Sequence, residues 1–398
     1  MTHPVHDHCA SYPFDGDGGL ALSELYAAAR ETDGLIRVQL PYGEPTWLVT
    51  RYADARFVMG DARFSRAMAA VKDAPRLTPD NNVAGILSMD PPEHTYLRAL
   101  VAKALTPRTV QELRPRVREI AERLIDDMVA DGQSADLVEG FSMPLPFTVM
   151  CELLGVPEAD RPTVRSWSDA WLSTSALTAE EFDGIRTQMR EYMRGLIEGE
   201  RRTPTNNMAT RLIEVSDATA RLSDLELAEV ATGVLTSGHE NAASQISNFV
   251  HVLLERPENW EQLLTDPDLI PEAVEELNRF VPLLAAGGSF PRYAKEDVEV
   301  GGVLVRAGEP VLVSVSAANR DVLQFDSPES LVFGRENRQH VAFGHGVHHC
   351  PGAGLSRLEL QEALRALLSK LPGLKMAGEV VWKTPTIVRA PRIMPVGW

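Results

Sequence analysis

A cysteine near the carboxyl end of the chain lies in a segment that is suited to holding an anion. Residues 343–352 read FGHGVHHCPG, with the cysteine at position 350. Glycines let a backbone turn tightly and approach a flat partner closely, and Pro351 is typical of the first residue of a helix. A thiolate just before a helix is stabilised by the positive helix end and the unpaired N–H groups of the first turn. The segment therefore predicts that Cys350 stays anionic.

Taken alone, the segment leaves other roles for Cys350 open. His345, His348 and His349 suggest a zinc site, but four ligands on one turn cannot easily surround a tetrahedral ion. A catalytic nucleophile would need a base and oxyanion donors that the sequence does not identify. A structural cysteine in a glycine turn remains open at this point.

Three further segments carry charged residues at informative spacings. Glu276 and Arg279 are three positions apart, so they share one face of a predicted helix. An exposed pair of this kind would be worth well under ~1 kcal/mol. His94 and Arg98 are four positions apart and reach the same side of a helix, and Arg292 follows later in the chain.

Together these segments resemble the cytochrome P450 family, from about residue 35 to the end of the chain. The haem-ligand signature of the family is matched by Phe343, Gly346, Cys350 and Gly352. The resemblance implies that Cys350 binds the iron of haem b, and that Phe343, Gly344 and Gly352 belong to the haem-binding loop.

The resemblance also assigns the charged residues. Buried carboxylates require charge partners, and the family's partners of the haem propionates correspond to His94, Arg98, Arg292 and His348. It further implies that Glu276 and Arg279 form a buried pair. The loop before the cysteine, to which the family ties this pair, offers Arg335 and His340.

The chain has 398 residues, of which 44% are hydrophobic and 24% charged, an ordinary globular composition. It carries no repeat, no low-complexity linker and no apolar stretch of about 18 residues, so we expect one domain over residues 1–398 without a transmembrane helix. Residues 1–20 lack the pattern of a signal peptide and are expected to form a flexible tail. Three cysteines fit a reducing compartment, and we expect a cytoplasmic protein.

A long helix is the clearest predicted element. Ser223 and Glu226 form a capping-box pattern, and apolar residues recur with helical periodicity to about residue 255. We also predict a hairpin over 35–50, strands over 298–300, 303–305 and 310–315, a loop over 66–92 and a helix over 351–371. The resemblance implies the cytochrome P450 fold, mainly α with small peripheral β-sheets, in which a triangular prism is crossed by a long central helix over the haem.

Within the long helix, residues 237–241 read SGHEN. In the family an acidic residue followed by threonine relays protons during oxygen activation. Glu240 corresponds to the acid, Asn241 replaces the threonine, and Gly238 is expected to leave room for the distal ligand. Asn241 can orient a water molecule but has no hydroxyl proton to give. Both normal hydroxylation through such a water molecule and an oxidative coupling that depends less on proton delivery remain open.

The resemblance places substrate-lining residues at Met68, Ile86, Leu87, Val234, Ser237, Ser289, Phe290, Thr386 and Ile387. Such a lining suits a medium-sized, partly polar and neutral molecule. Stretches such as 74–77, 303–306 and 381–384 resemble actinobacterial enzymes that oxidise aromatic cyclodipeptides. We therefore expect a diketopiperazine of secondary metabolism that is hydroxylated or joined by an aryl C–C or C–N link. A macrolide, polyketide or terpenoid hydroxylase is the alternative, and a haem-binding sensor without turnover is the outside one.

The net charge of −17 disfavours nucleic acid and anionic membranes as partners. No flavin or nicotinamide domain is recognisable, so we expect electrons from a ferredoxin and its reductase. An acidic ferredoxin needs a local basic patch, for which the candidates are Lys103, Arg108, Arg114, Arg116, Arg335, Arg338 and Arg357. We expect a monomer that acts on a small molecule.

Overall fold

The computed structural model describes residues 9–15, 18–32, 34–79, 85–172, 179–219, 222–285, 290–384 and 387–398. The chain divides into two compact units. Unit 1 comprises Met1–Thr95, Pro271–Cys350 and Ile387–Ala390, and unit 2 comprises Tyr96–Ile270, Pro351–Thr386 and Pro391–Trp398. None of the described helices is both long enough and apolar enough to cross a membrane.

The described α-helices are α1 Glu24–Glu31, α2 Tyr52–Gly60, α3 Glu93–Ala104, α4 Pro107–Glu112, α5 Arg114–Asp131, α6 Pro144–Leu154, α7 Arg161–Leu172, α8 Ala179–Arg202, α9 Met208–Thr219, α10 Asp224–Leu254, α11 Pro257–Thr265, α12 Ile270–Phe280, α13 Val315–Ala318 and α14 Ala353–Lys370. The described strands are β1 Ala10–Ser11, β2 Leu35–Gln39, β3 Thr46–Val49, β4 Phe64–Ser65, β5 Ser134–Asp136, β6 Arg292–Ala294, β7 Val298–Val300, β8 Val303–Val305, β9 Pro310–Val313, β10 Lys375–Met376, β11 Val381–Trp382, β12 Pro391–Ile393 and β13 Pro395–Gly397. Of the residues that the structure describes, 56% are helical, and the strands form small sheets, as predicted.

Unit 1 is built on a six-stranded sheet with the order β1-β2-β3-β9-β6-β4. β2 and β3 form the predicted antiparallel hairpin, and β3 runs parallel to β9. Every residue of β3 and β9 is buried, which explains why neither strand alternates between apolar and polar residues. The predicted strand 310–315 ends at Val313, because Ser314 caps the short helix α13.

β7 and β8 form a second antiparallel hairpin, where two strands were predicted. Gly301 and Gly302 join them, with φ angles of +56° and +87°. Positive φ at both central residues matches the twist of a two-residue hairpin turn, which favours glycine at these positions.

The amino-terminal segment differs from its prediction as a flexible tail. Ala10 and Ser11 form β1 along β2, and Tyr12 is only 1% exposed. The Tyr12 ring packs edge-on against Phe14 and Tyr26. The rings of Tyr12 and Phe14 therefore hold residues 10–14 against the rest of unit 1. This packing was not predicted because the surrounding sequence is polar.

Unit 2 is helical, and α10 is its longest helix. Ser223 accepts a hydrogen bond from the Glu226 N–H while the Glu226 side chain accepts one from the Ser223 N–H, so the predicted capping box is present. The 31 residues of α10 give a rod of about 46 Å. α10 packs against α6, α8 and α14.

The carboxyl-terminal part of unit 2 also follows its prediction, with one shift. α14 begins at Ala353 with Gly352 as its N-cap, two residues later than predicted from Pro351. Pro351 and Gly352 form a turn instead. The strands of unit 2 form two small sheets, β10-β13-β5 and β11-β12.

Candidate functional site

Cys350 closes a tight loop in unit 1. Its N–H donates a hydrogen bond to the carbonyl oxygen of Phe343 at 2.8 Å, and the His349 N–H donates to Gly346 at 3.0 Å. Cys350 is partly accessible, whereas Cys151 is buried and burial raises the pKa of the Cys151 thiol to about 12. The loop therefore presents Cys350 to its surroundings, while Cys151 is an inert thiol of the core.

Gly346 is required in this loop for two reasons. Its φ of +71° lies in a region that residues with a side chain rarely adopt. A Cβ atom at Gly346 would also lie 2.5 Å from the carbonyl oxygen of Met59, near the end of α2. Gly344 likewise has a positive φ, of +73°. These two glycines determine the path of the chain toward Cys350.

Glu276 and Arg279 form a buried ion pair on α12. Their side chains are 4% and 1% exposed, and Arg279 donates to the carboxylate at 2.7 and 2.8 Å. Arg335 adds a second guanidinium at 3.0 Å, and Arg279 also donates to the backbone carbonyls of Asn319 and Pro328. Burial acts to raise the pKa of Glu276, but the hydrogen bonds from the two arginines outweigh it and hold the pKa below its ordinary value. The pair is tied to the loop before Cys350.

The rest of that loop is anchored by other polar side chains. His340 pairs with Glu275 at 3.2 Å and so is not part of the Glu276 cluster. The Asn319 side chain accepts a hydrogen bond from the Val341 N–H at 2.8 Å. Asp321 accepts one from the first backbone N–H of α2, also at 2.8 Å. These contacts hold the chain leading to Cys350 against α2 and α12.

His94 and His348, two of the predicted propionate partners, lie side by side in unit 1. Their ring centroids are 4.2 Å apart with the planes inclined at 50°, and His94 is buried. Arg98 lies one turn further along α3 and is half-buried. Its four-residue spacing places it on the same side of α3 as His94.

Arg292, the remaining predicted partner, is buried in β6 near a second arginine that the sequence did not single out. Arg292 is 5% exposed and Arg66 is 8% exposed. Burial lowers the pKa of Arg292 to about 9, and the charge of Arg66 adds to this effect. Burial also lowers the pKa of Arg66 to about 10, against the opposing charge of Asp90. Arg66 begins the segment predicted as an irregular loop, where no periodic pattern signals burial.

One face of α10 stays accessible in a helix that is otherwise largely buried. Between residues 231 and 241, its accessible or partly accessible residues are Gly233, Val234, Ser237, Gly238 and Asn241. Spacings of three and four residues mark one helix face, and every residue from 242 to 250 is buried. The predicted lining residues Val234 and Ser237 therefore share this face with Asn241.

Glu240 is held by a charge partner that the sequence did not reveal. Its Oε1 atom lies 2.5 Å from the Nζ atom of Lys383 and accepts the hydroxyl of Ser244 at 3.3 Å. The side chains of Glu240 and Lys383 are 12% and 18% exposed. The lysine is 143 positions away along the chain, so no local spacing could have indicated the pair.

Gly238 lies close to the neighbouring helix α6, a proximity that the sequence did not indicate. A Cβ atom at Gly238 would lie 2.9 Å from the Sδ and Cε atoms of Met150 on α6. Its missing side chain therefore allows α10 to approach α6. A Cβ atom at Gly233 would meet no described atom within 4 Å.

The predicted lining residues of the first loop lie in two short 3-10 helices of unit 1. Met68 lies in the first, over Ala67–Ala70, and packs against buried Tyr293. Ile86 and Leu87 lie in the second, Gly85–Ser88. The carbonyl oxygen of Leu87 accepts a hydrogen bond from Arg66 at 3.2 Å, which ties the two segments together.

Of the later predicted lining residues, Phe290 and Ile387 belong to unit 1. The Arg66 guanidinium lies over the ring of Phe290, 4.9 Å from its centroid. The carbonyl oxygen of Ile387 accepts a hydrogen bond from the Ala285 N–H at 2.8 Å. Ser289 and Thr386 lie outside the described residues.

In unit 1, two arginines of the predicted docking patch form ion pairs, and one of them is buried. Arg335 is only 8% exposed within the Glu276 cluster, so its assignment to a docking surface is wrong. Arg338 pairs with Glu272 at 2.8 Å. These two arginines interact with α12 because that helix carries Glu272 and Glu276 on its surface toward the loop.

In unit 2 the patch residues differ in exposure. Arg114 pairs with buried Glu362 at 2.5 Å, and Arg116 pairs with two glutamates. Lys103 is exposed, and Arg108 is 89% exposed although it contacts Glu112. Lys103 and Arg108 are thus the patch residues with the most accessible charge among these four.

Comparison with known proteins places the whole chain in one family. Residues 171–372 match the family model described as Cytochrome P450. Mycinamicin IV hydroxylase/epoxidase of Micromonospora griseorubida is 49% identical over 98% of both chains, and Nocardicin C N-oxygenase of Nocardia uniformis subsp. tsuyamanensis is 48% identical over 98% of both. The solved structure of the mixed-function P450 MycG has a TM-score of 0.94 and 48% identity, covering 98% of this chain and 100% of that one.

None of these three proteins is named as an enzyme that oxidises cyclodipeptides, so the expected resemblance to that group is not supported. The broader expectation is confirmed by the near full-length matches. The chain belongs to the cytochrome P450 family, whose cofactor is haem b, and it is an oxidoreductase.

Proposed function

We propose that the chain is a monooxygenase of secondary metabolism that hydroxylates or epoxidises a macrolide. The observation that carries this proposal is the 49% identity, over 98% of both chains, to a mycinamicin IV hydroxylase/epoxidase. The accessible face of α10 supports it, because Gly233, Val234 and Ser237 are small and neutral and leave room for a large, partly polar ring.

Two features of unit 1 fit a haem group. The glycine loop keeps Cys350 accessible, and the buried guanidinium groups of Arg66 and Arg292 carry charge that a buried carboxylate would neutralise. Haem b brings two carboxylates. We assign Cys350 to the iron, the loop residues Phe343, Gly344 and Gly352 to the haem face, and His94, Arg98, Arg292 and His348 to the carboxylates.

When bound, haem b supplies the oxygen chemistry, to which a thiolate ligand adds electron density. The protein positions the substrate and delivers protons. We assign Glu240 to hold and pass on a proton. The Asn241 amide, on the accessible face of α10, orients a water molecule in place of a threonine hydroxyl. This arrangement supports insertion of oxygen more directly than coupling.

A second candidate substrate class has its own support. The 48% identity to Nocardicin C N-oxygenase favours oxygenation at a nitrogen atom. The same cysteine, acid and amide would serve both reactions. The two candidates therefore differ in the substrate that the accessible residues admit, and substrate binding distinguishes them.

We also propose that a ferredoxin, regenerated by its reductase, supplies the electrons. Cytochromes P450 of this kind depend on redox partners. Lys103 and Arg108 in unit 2 present accessible positive charge on a chain whose net charge is −17. Opposite charges steer an acidic partner to such a surface and increase the association rate.

Replacement of the proposed ligand tests the enzyme class. Cys350→Ser is expected to abolish the thiolate signature of the reduced carbon monoxide adduct and to reduce turnover below detection. Cys151→Ser is the matched control, because that thiol lies in the core, and it should keep the signature. If Cys350→Ser retained the thiolate spectrum, the ligand assignment would be wrong.

A spectral titration tests the substrate class. The haem-loaded enzyme is titrated with mycinamicin-type macrolides, nocardicin C, aromatic cyclodipeptides and terpenes, and products are then identified by mass spectrometry. A saturable high-spin shift and an oxygenated product with the macrolides support the main proposal. A shift and product confined to nocardicin C would favour the second candidate. A response confined to cyclodipeptides or terpenes would overturn both.

A further inference from the structure

The carboxyl-terminal pair of strands, β11 and β12, is attached to α10 at two points. The Trp382 ring packs edge-on against His251, with centroids 5.1 Å apart and planes inclined at 80°. The adjacent Lys383 forms the 2.5 Å ion pair with Glu240. β12 also packs against α10. Two consecutive residues thus hold this pair of strands on the helix.

Helical geometry separates Glu240 from its neighbour Asn241. Glu240, Ser244 and His251 are spaced by four and seven residues, so they share the face of α10 that meets β11. A step of one residue rotates by about 100°, which places Asn241 on the accessible face described above. The acid and the amide are adjacent in sequence but have different surroundings.

The groups around Glu240 leave Lys383 as the cation in direct contact with it. Burial lowers the pKa of His239, so this ring adds little positive charge. Burial raises the pKa of Asp169, with the charge of Glu240 adding to the rise and Arg165 opposing it. Arg165 itself pairs with Glu139 at 2.7 Å and Asp169 at 3.6 Å. A largely buried carboxylate that loses its paired cation is strongly disfavoured.

We propose that Lys383 is a positioning residue for Glu240, which it pairs with and keeps turned toward β11. Proton delivery then depends on how β11 and β12 pack against α10, because Lys383 directly follows β11. A compact ammonium group on a flexible stem suits a contact that must be released and re-formed. The inference rests on the proposed role of Glu240 as the acid that passes on a proton.

The test uses the full-length, haem-loaded enzyme with the variants Lys383→Met and Lys383→Arg. Infrared difference spectra report whether a carboxyl group has become protonated, independently of turnover. We expect Lys383→Met to show a new carboxyl band that is absent from the double variant Lys383→Met/Glu240→Gln. We also expect a several-fold rise in peroxide released per substrate oxidised and a larger solvent isotope effect. Lys383→Arg should show no carboxyl band, because it restores the positive charge beside Glu240.

Trp382→Leu is the matched control, since it loosens the other attachment of β11 and leaves the lysine in place. It should alter substrate affinity without producing the carboxyl band. The inference is overturned if Lys383→Met behaves as wild type in both measurements, or if Trp382→Leu reproduces the band. The single variant Glu240→Gln distinguishes the proposed proton-relay role of Glu240 from the proposed effect of Lys383 on it. If it leaves peroxide release unchanged, the proposed relay role fails, whereas the band in Lys383→Met still reports whether the lysine controls the charge of Glu240.

Discussion

Two buried glutamates, Glu276 in unit 1 and Glu240 in unit 2, are held in different ways. Glu276 is 4% exposed and receives two guanidinium groups and the backbone N–H of Val332. Glu240 receives one ammonium group and one hydroxyl, and the next residue along α10 is exposed. Among the described residues, the first carboxylate is therefore held by two cations and the second by one.

The difference follows from the chemistry of the partners. A guanidinium binds a carboxylate through two parallel hydrogen bonds and so defines its position and its angle, whereas an ammonium acts as a point charge. Glu276 is therefore a locked part of the scaffold that supports the Cys350 loop. Glu240 occupies an arrangement that one moving side chain can change, which suits the proton-transfer role proposed above.

A third buried glutamate has neither a cation nor a hydrogen-bond donor beside it among the described residues. Glu359 on α14 is 1% exposed, and neither of its carboxyl oxygens has a hydrogen-bond partner among the described residues. Burial raises its pKa to about 8. The protein thus keeps one buried glutamate locked as an anion, one paired with a single lysine and one neutral at ordinary pH.

The largest effect is expected from breaking the locked cluster. Glu276→Gln leaves Arg279 and Arg335 buried without their anion, and removal of one partner from a buried pair costs about 3–5 kcal/mol. We expect this loss in the free energy of unfolding measured by denaturant titration, together with poor haem incorporation. Glu112→Gln, which removes the exposed partner of Arg108, should change stability by less than about 0.5 kcal/mol. A loss of similar size in both variants would remove the contrast between locked and exposed pairs.

The neutral glutamate predicts a pH dependence of stability. Because the pKa of Glu359 in the folded protein is about 8, above its ordinary value of 4.5, its stabilising contribution is complete below pH 4.5 and is lost as the pH rises toward 8. Glutamine does not titrate, so Glu359→Gln should gain stability relative to wild type across this window, by at most about 1.4 kcal/mol per pH unit. The unfolding free energies of both proteins at pH 5 and pH 8 measure this difference. A constant difference would mean that the carboxyl group titrates normally in the fold.

Variants of Asn241 test the proposed water molecule on the accessible face of α10. Asn241→Thr adds a hydroxyl where we expect an oriented water molecule, so the same oxygenated product should form, with turnover changed by less than about tenfold, or 1.4 kcal/mol in the barrier. Asn241→Leu, which cannot hold the water molecule, should release more peroxide per product. Product analysis by mass spectrometry checks both variants. A coupled product from wild type that becomes hydroxylated in Asn241→Thr would favour the coupling mechanism instead.

The smallest effect is expected at the exposed charges. The double variant Lys103→Glu/Arg108→Glu should slow reduction by ferredoxin several-fold at low ionic strength, with a smaller difference at high salt because screening weakens the attraction. Stopped-flow reduction measures this rate, and substrate titration should be unchanged. Arg202→Glu, at the exposed end of α8, is the control. Equal reduction rates in all three proteins would rule out this docking surface.

Features that depend on residues close together in the sequence are predicted correctly more often than features that depend on distant residues. The capping box of Ser223 and Glu226 and the hairpin of β2 and β3 depend on neighbours within a few residues, and both are present as predicted. Arg335 is a residue for which the local sequence pattern was not enough to predict the environment. Its position before the cysteine is compatible with both a buried pair and an exposed patch, and only its 8% exposure beside Glu276 decides between them.

A short stretch of chain is enough to recognise the cysteine in its glycine loop, the spacing of Glu276 and Arg279, and the departure at Asn241. Only the tertiary structure decided that Lys383 holds Glu240, that Arg66 is buried near Arg292 and that Gly238 packs against Met150. The two members of each pair lie between 88 and 226 positions apart in the sequence. Packing of the whole chain brings such residues together, and no local pattern encodes it.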